Sequence, residues 1–223
     1  MFRWIFKQIL KVMGWEPMPK EDVEKMKNTN RTVCVFSHTS YWDFWIMIFY
    51  ILSDPNLFGY LNVLVKPQPF KYAGSILRKI GCIPATKVDD KKGGAVERIV
   101  KEFDDKPFGS LFLISPKGSI LRREWRSGYY HIARALNAEL MVVGLDYEKK
   151  NVYVSDKISS EQEEPIVREF LFKELANIVP LVTDQEVVEV RPHDPSKVTV
   201  TTLDTKTLFR IGFCFSILLW LLI

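Results

Sequence analysis

His38 and Asp43 lie five positions apart in the stretch Ser37-His38-Thr39-Ser40-Tyr41-Trp42-Asp43. A histidine whose basicity and orientation are set by a nearby carboxylate is a candidate general base for an alcohol nucleophile. In a regular helix this spacing would put the two side chains about 140° apart, so the pair works only across a bend. The flanking residues supply one. Thr32-Val33-Cys34-Val35-Phe36 is β-branched and apolar and reads as a buried strand, whereas 42–52 is an apolar run long enough for a helix. Thr39 or Ser40 can cap that helix. His38 then stands at the C-terminal end of a strand and Asp43 in the first turn of the next helix, the crevice where open α/β sheets place their sites.

Two further segments carry similar chemistry. Gly81-Cys82-Ile83-Pro84-Ala85-Thr86-Lys87 leaves a short strand and ends in a cation. Ile114-Ser115-Pro116-Lys117-Gly118-Ser119 leaves another strand into a turn, followed by Arg122, Arg123 and Arg126. Strand ends bearing a cation, and a glycine turn exposing backbone N–H groups, are parts from which an anion cradle is built. An ordinary turn with solvated charges is the plainer reading of each alone. Converging with His38 and Asp43 at one edge of a sheet, they would combine a base, its orienter and an anion cradle.

Strand-like runs recur at 32–36, 60–65, 82–86, 110–114, 139–146 and 151–155, with helical patterns at 42–52, 70–80, 95–103 and 129–136. This alternation predicts an α/β fold, a single domain with a mostly parallel sheet flanked by helices. The 223 residues, 47% hydrophobic and 26% charged, suit one folded domain. A net charge of +4 does not argue for nucleic acid as a partner. Cys34, Cys82 and Cys214 are odd in number and far apart, and neither CxxC nor HExxH occurs; no metal site and no disulfide framework are expected.

Both ends are apolar in distinctive ways. Residues 1–15 repeat Phe2, Ile5, Phe6, Ile9, Leu10 and Met13 at helical spacing, with Arg3, Lys7 and Lys11 between them. A basic amphipathic helix of this kind suits a membrane interface; the alternative is a helix that packs its apolar face on the domain. The final residues, IGFCFSILLWLLI, carry no charge and read as a membrane-inserted tail, short for a full span of about 20 residues. The expected organisation is a membrane-interface helix at 1–25, an α/β domain at 26–182, an extension or linker at 183–207 and a hydrophobic C-terminal anchor at 208–223.

In order and spacing, these segments resemble the glycerolipid (lysophosphatidic acid type) acyltransferase superfamily over roughly residues 1–155. Its first block, His-x-Ser-x-x-Asp, is matched from His38 to Asp43. Its Gly-x-Ile-x-x-x-Arg block is matched by Gly81 to Lys87, with lysine in the arginine's place. Its Pro-Glu-Gly-Thr-Arg-Ser block appears as Pro116-Lys117-Gly118-Ser119-Ile120-Leu121. Residues 125–133 and 142–147 add to the likeness. Lys117 thus replaces a glutamate and Ile120 an arginine, both associated in the family with acceptor binding.

The resemblance implies a membrane-associated enzyme moving a fatty acyl group from a thioester donor, acyl-CoA or acyl-carrier protein, to a hydroxyl. The acceptor would be a lysophospholipid or resemble glycerol phosphate, as for 1-acylglycerol-3-phosphate O-acyltransferases. His38 would be the base and Asp43 its orienter; Lys87, Lys117, Gly118, Ser119 and Arg122 would contact substrate. Backbone N–H groups near Gly118, or the Lys87 ammonium, are candidate oxyanion donors. No cofactor beyond the donor substrate is implied, membrane lipids are the expected partners, and the catalytic domain would face the cytoplasm. The altered Pro-Lys-Gly-Ser block leaves an alternative, a membrane-tethered lipid-binding protein of the same fold that no longer turns over.

Overall fold

The computed structural model describes residues 2–27, 31–85, 94–104, 106, 110–118 and 124–181. The 183–207 extension and the 208–223 anchor therefore lie outside the described residues. After helices α1 (Phe2–Val12) and α2 (Lys20–Lys27), the chain alternates: β1 (Arg31–Val35), α3 (Tyr41–Ser53), β2 (Leu61–Val65), α4 (Phe70–Lys79), β3 (Cys82–Pro84), α5 (Ala95–Asp104) and β4 (Ser110–Ile114). It continues through α6 (Gly128–Ala135), β5 (Glu139–Asp146), β6 (Asn151–Ser159) and α7 (Glu164–Leu175). The strands form one sheet in the order β3-β2-β4-β1-β5-β6, all parallel except the β5–β6 hairpin at one edge. This is the expected α/β domain. Helices α2 and α7 had no counterpart in the sequence reading.

Buried strands with apolar residues on both faces need a helical layer on each side. The front layer packs α1 through α4 on Cys34, Leu111, Leu113 and Met141; the back layer packs α5 through α7 on Val33, Val35, Phe112 and Leu140. Helix α1 seats Phe6, Ile9 and Leu10 in the front core, with Phe6 stacked on Phe49 of α3 at 5.8 Å. Each such side chain contributes roughly 1.5–3 kcal/mol. The apolar stripe read as membrane-facing is thus largely occupied by the domain, while Trp4 and Val12 remain exposed. Among the described residues, no helix is long and apolar enough to cross a membrane.

Crossovers position the site. The chain leaves β1 through α3 on the front and leaves its neighbour β4 through α6 on the back. Adjacent parallel strands whose connections depart on opposite faces open a crevice beyond their C-terminal ends. Val35 pairs with Ile114, and Phe36 N–H donates to the Ile114 carbonyl at 2.9 Å, so the two outgoing turns start side by side. Elsewhere the α4–β3 turn requires glycine: Gly81 has φ +88°, and a Cβ there would collide with the Leu61 carbonyl oxygen.

Candidate active site

Ser40 adopts an extended conformation and caps α3, its Oγ accepting from Trp42 N–H at 3.1 Å. Asp43 is the third residue of that helix and completes a capping box. Its Oδ2 accepts from the backbone N–H groups of Ser40 and Thr39, both at 2.7 Å. The helix N-terminus also favours its negative charge. The His-x4-Asp spacing has its physical origin here: it carries the chain from strand end, through cap, to a carboxylate turned back on the residues before it.

His38 Nδ1 lies 3.3 Å from the same Oδ2. A carboxylate oxygen accepts, so the contact fits the imidazole tautomer with its proton on Nδ1, which leaves the Nε2 lone pair for a substrate. Asp43 is 1% exposed and the imidazole 26%, which puts the orienting group inside and the candidate base at the surface.

The other carboxylate oxygen has a partner that sequence reading missed. Tyr147, just beyond β5, donates its hydroxyl to Asp43 Oδ1 at 2.6 Å. Burial, then the Asp43 charge and this hydrogen bond, push the Tyr147 phenol far above its ordinary range, so it stays a proton donor. Its ring meets Trp15 edge-on at 5.2 Å, and its backbone N–H donates to the Val179 carbonyl at 2.8 Å. Tyr147 is separated from Asp43 by 104 residues, and no local pattern links them. Tyr147 closes the 142–147 segment that adds to the family likeness and stands directly after a predicted strand, where α/β folds gather functional residues, but neither signal pairs it with Asp43.

On the β4 side, Lys117 is 1% exposed, an unusual position for an ammonium. Gly118 has φ +62°, and its N–H donates to the Ser115 carbonyl at 3.0 Å, closing the turn. That N–H is committed within the turn and is not presented as an oxyanion donor. Ser115 Oγ is buried and has no hydrogen-bond partner among the described residues. The structure therefore brings His38 and Asp43 into contact and places Lys117 and Gly118 beyond the neighbouring strand. Lys87, Ser119 and Arg122 lie outside the described residues.

Among the described residues, no group of three or more His, Cys, Asp or Glu side chains could hold a metal ion. Cys34 and Cys82 are buried free thiols, pushed up to about 12 and about 11 by burial. A cleft of about 450 Å³ lined by Lys20, Glu24, Lys27 and Asp54 lies at the opposite edge of the sheet, away from His38.

The sequence model of the Acyltransferase family matches residues 16–146, a span from Trp15's neighbour to the last residue of β5. The chain belongs to the Acyltransferase family. The matched span takes in β1 through β5, and with them His38, Asp43 and the Lys117–Gly118 turn. No curated protein sequence matches this family member. Among solved structures, it is similar to the 1-acyl-sn-glycerophosphate (LPA) acyltransferase PlsC from Thermotoga maritima, with a TM-score of 0.50 and 12% identity. The likeness covers 85% of this chain and 82% of that one, and it supports the fold.

Proposed function

We propose that this chain transfers a fatty acyl group from a thioester donor, acyl-CoA or acyl-carrier protein, to the hydroxyl of a lysophospholipid or glycerol-phosphate-like acceptor at a membrane surface. The observation that carries this reading is the His38–Asp43 pair, its carboxylate fixed by two backbone N–H groups and one phenol.

His38 Nε2 takes the acceptor's hydroxyl proton as the oxygen attacks the thioester carbonyl carbon. The tetrahedral oxyanion then collapses, the C–S bond breaks, and the leaving thiolate receives the proton from the imidazolium. No acyl-enzyme forms, because the substrate supplies the nucleophile. Asp43 holds the tautomer and stabilises the cation, as the acid does in a serine-protease triad. At 3.3 Å the pair is longer than the roughly 2.7–2.9 Å of a charged bond, leaving room to tighten as charge develops. Tyr147 acts through Asp43 as a positioning residue. The buried Lys117 ammonium, in the turn beside this site, is the partner we assign to an anionic substrate group. Lys87 or Arg122 would add to it. The anchor at 208–223 and the remaining exposed face of α1 hold the domain on the bilayer, with its catalytic side in the cytoplasm.

The test is incubation of the detergent-solubilised protein with radiolabelled acyl-CoA or acyl-carrier protein and a panel of lysophospholipids, beside His38→Ala. Labelled product, lost by roughly 10²–10⁴-fold in the variant, is expected. Product unaffected by the substitution removes His38 as the base. Absence of product with every donor and acceptor favours the second reading, a membrane-tethered lipid-binding protein. The lysine buried where the resembling family has glutamate is the observation that favours it.

A further inference from the structure

Helix α4 already has a seated apolar face. The chain kinks at Ala73 (φ −129°, ψ 26°), and Phe70, Ala73, Leu77 and the capping residue Ile80 pack on the front core on either side of the kink. Yet Tyr72, just before the kink, is 93% exposed, and Ile76, just after it, is 53% exposed. Lys71, Ser75 and Lys79 are exposed around them. Single exposed apolar residues are ordinary on protein surfaces. Here three observations add up. The stretch 55–85 holds Lys66, Lys71, Arg78 and Lys79 and no Asp or Glu. The front layer also carries the exposed Trp4 and Val12 on α1, a helix with Arg3, Lys7 and Lys11 and no acidic residue. And α4 starts directly after the C-terminal end of β2, the sheet edge at which His38 stands.

We infer that the outer face of α4 is a docking surface for anionic phospholipid, with Tyr72 and Ile76 entering the headgroup region and Lys66, Lys71 and Lys79 meeting the phosphates. Charge complementarity selects this occupant: a cationic, aromatic-bearing helix face with no acidic residue suits an anionic interface. Arg78 is engaged elsewhere, with Glu102 of α5 at 2.9 Å, and is not needed. Docking here brings the His38 edge toward the bilayer. This inference rests on the proposed membrane acyltransferase reading and assigns its lipid contact to an element whose sequence shows only a helical pattern.

The test uses the full chain with Cys214→Ser and an environment-sensitive fluorophore on Tyr72→Cys or, separately, on Ile76→Cys. Glu161→Cys, beyond the opposite edge of the sheet, serves as control. Vesicles are phosphatidylcholine alone or mixed with phosphatidylglycerol, and no acyl donor is present. Emission at positions 72 and 76 is expected to rise about three-fold or more and shift to the blue on the anionic vesicles only. Position 161 should stay unchanged, and Lys71→Glu with Lys79→Glu should abolish the rise. If the chain sediments with vesicles while both probes stay in water, other segments do the binding and the inference fails. A rise that depends on protein concentration without vesicles would mean a second copy covers α4 and would also overturn it. Circular dichroism and thermal melting verify that each variant is folded. Read beside the separate acyl-transfer assay, loss of the docking signal with acyl transfer retained sinks this inference alone. A docking signal without acyl transfer sinks the catalytic reading alone.

Discussion

The two helical layers that sandwich the sheet are built differently. In the back layer, α5 and α7 mix charges along their outer faces: Glu97, Arg98, Lys101 and Glu102 on one, Glu164, Arg168, Glu169, Lys173 and Glu174 on the other. Their inner residues pack on the sheet, with Trp125 against Phe172 at 4.5 Å, and Ile166 alone among the large apolar residues of α7 is half exposed. In the front layer, α1 and α4 carry basic residues and no acidic ones, and the single carboxylate of α3 is the buried Asp43. Front helix α2 carries Glu21, Asp22 and Glu24 and back helix α6 carries no acid, so the contrast lies in α3 and α4, where packing does not explain a buried carboxylate or a near-fully exposed tyrosine. The back layer is scaffold; the front layer holds the residues that scaffold alone does not require.

Substitutions can break that contrast. Asp43→Asn keeps the size of the side chain but removes its charge and its acceptor-only character. We expect turnover to fall by roughly 10³–10⁴-fold, with a loss of about 1 kcal/mol of stability from the weakened cap. Kinetics and a denaturant titration together check this; retained turnover would remove Asp43 from the mechanism. The back-layer counterpart is Leu171→Ala, at a fully buried position. It should cost roughly 2–5 kcal/mol of stability while the folded fraction keeps its kcat. A large kcat loss at equal folded fraction would show that the back layer is more than scaffold.

Tyr147→Phe lies on the boundary between packing and chemistry. It removes one hydrogen bond and no volume, so stability should fall by only about 1 kcal/mol. A positioning role predicts kcat about ten-fold lower with KM within about two-fold, and a displaced pH–rate profile, because Asp43 loses a donor. A purely structural role leaves kcat unchanged. The smallest effect concerns the thiols. With Cys82 near 11 and Cys34 near 12, the reactive thiolate is scarce at pH 8, and alkylation of native protein should leave both unmodified. Mass spectrometry before and after denaturation reads the result; ready labelling of Cys34 would mean that the front core opens.

The strands were legible because runs such as Thr32-Val33-Cys34-Val35-Phe36 are apolar on both faces, as a sheet covered by two layers demands. The His38–Asp43 pair was legible because cap and candidate base are local to one turn. Helix α7 lacks a clear apolar periodicity although Pro165 in its first turn is a start signal. Helix α2 offers only Val23 and Met26 to the core, too few for periodicity to register. For α1, sequence reports an apolar stripe but not what it faces, since a bilayer and a protein core attract the same residues. Tyr147 was out of reach for a different reason: its contact with Asp43 exists only once β5 lies beside β1.

The capping box at Ser40 and Asp43 ties chemical competence to folding. The carboxylate that orients His38 is held by the same N–H groups that begin α3, so a chain whose first helical turn is open has no positioned base. On the proposed mechanism, a nascent or damaged copy is inert toward thioesters rather than wasteful of them. Protection of the Thr39 and Ser40 amides from hydrogen exchange becomes a direct gauge of the fraction of molecules able to work.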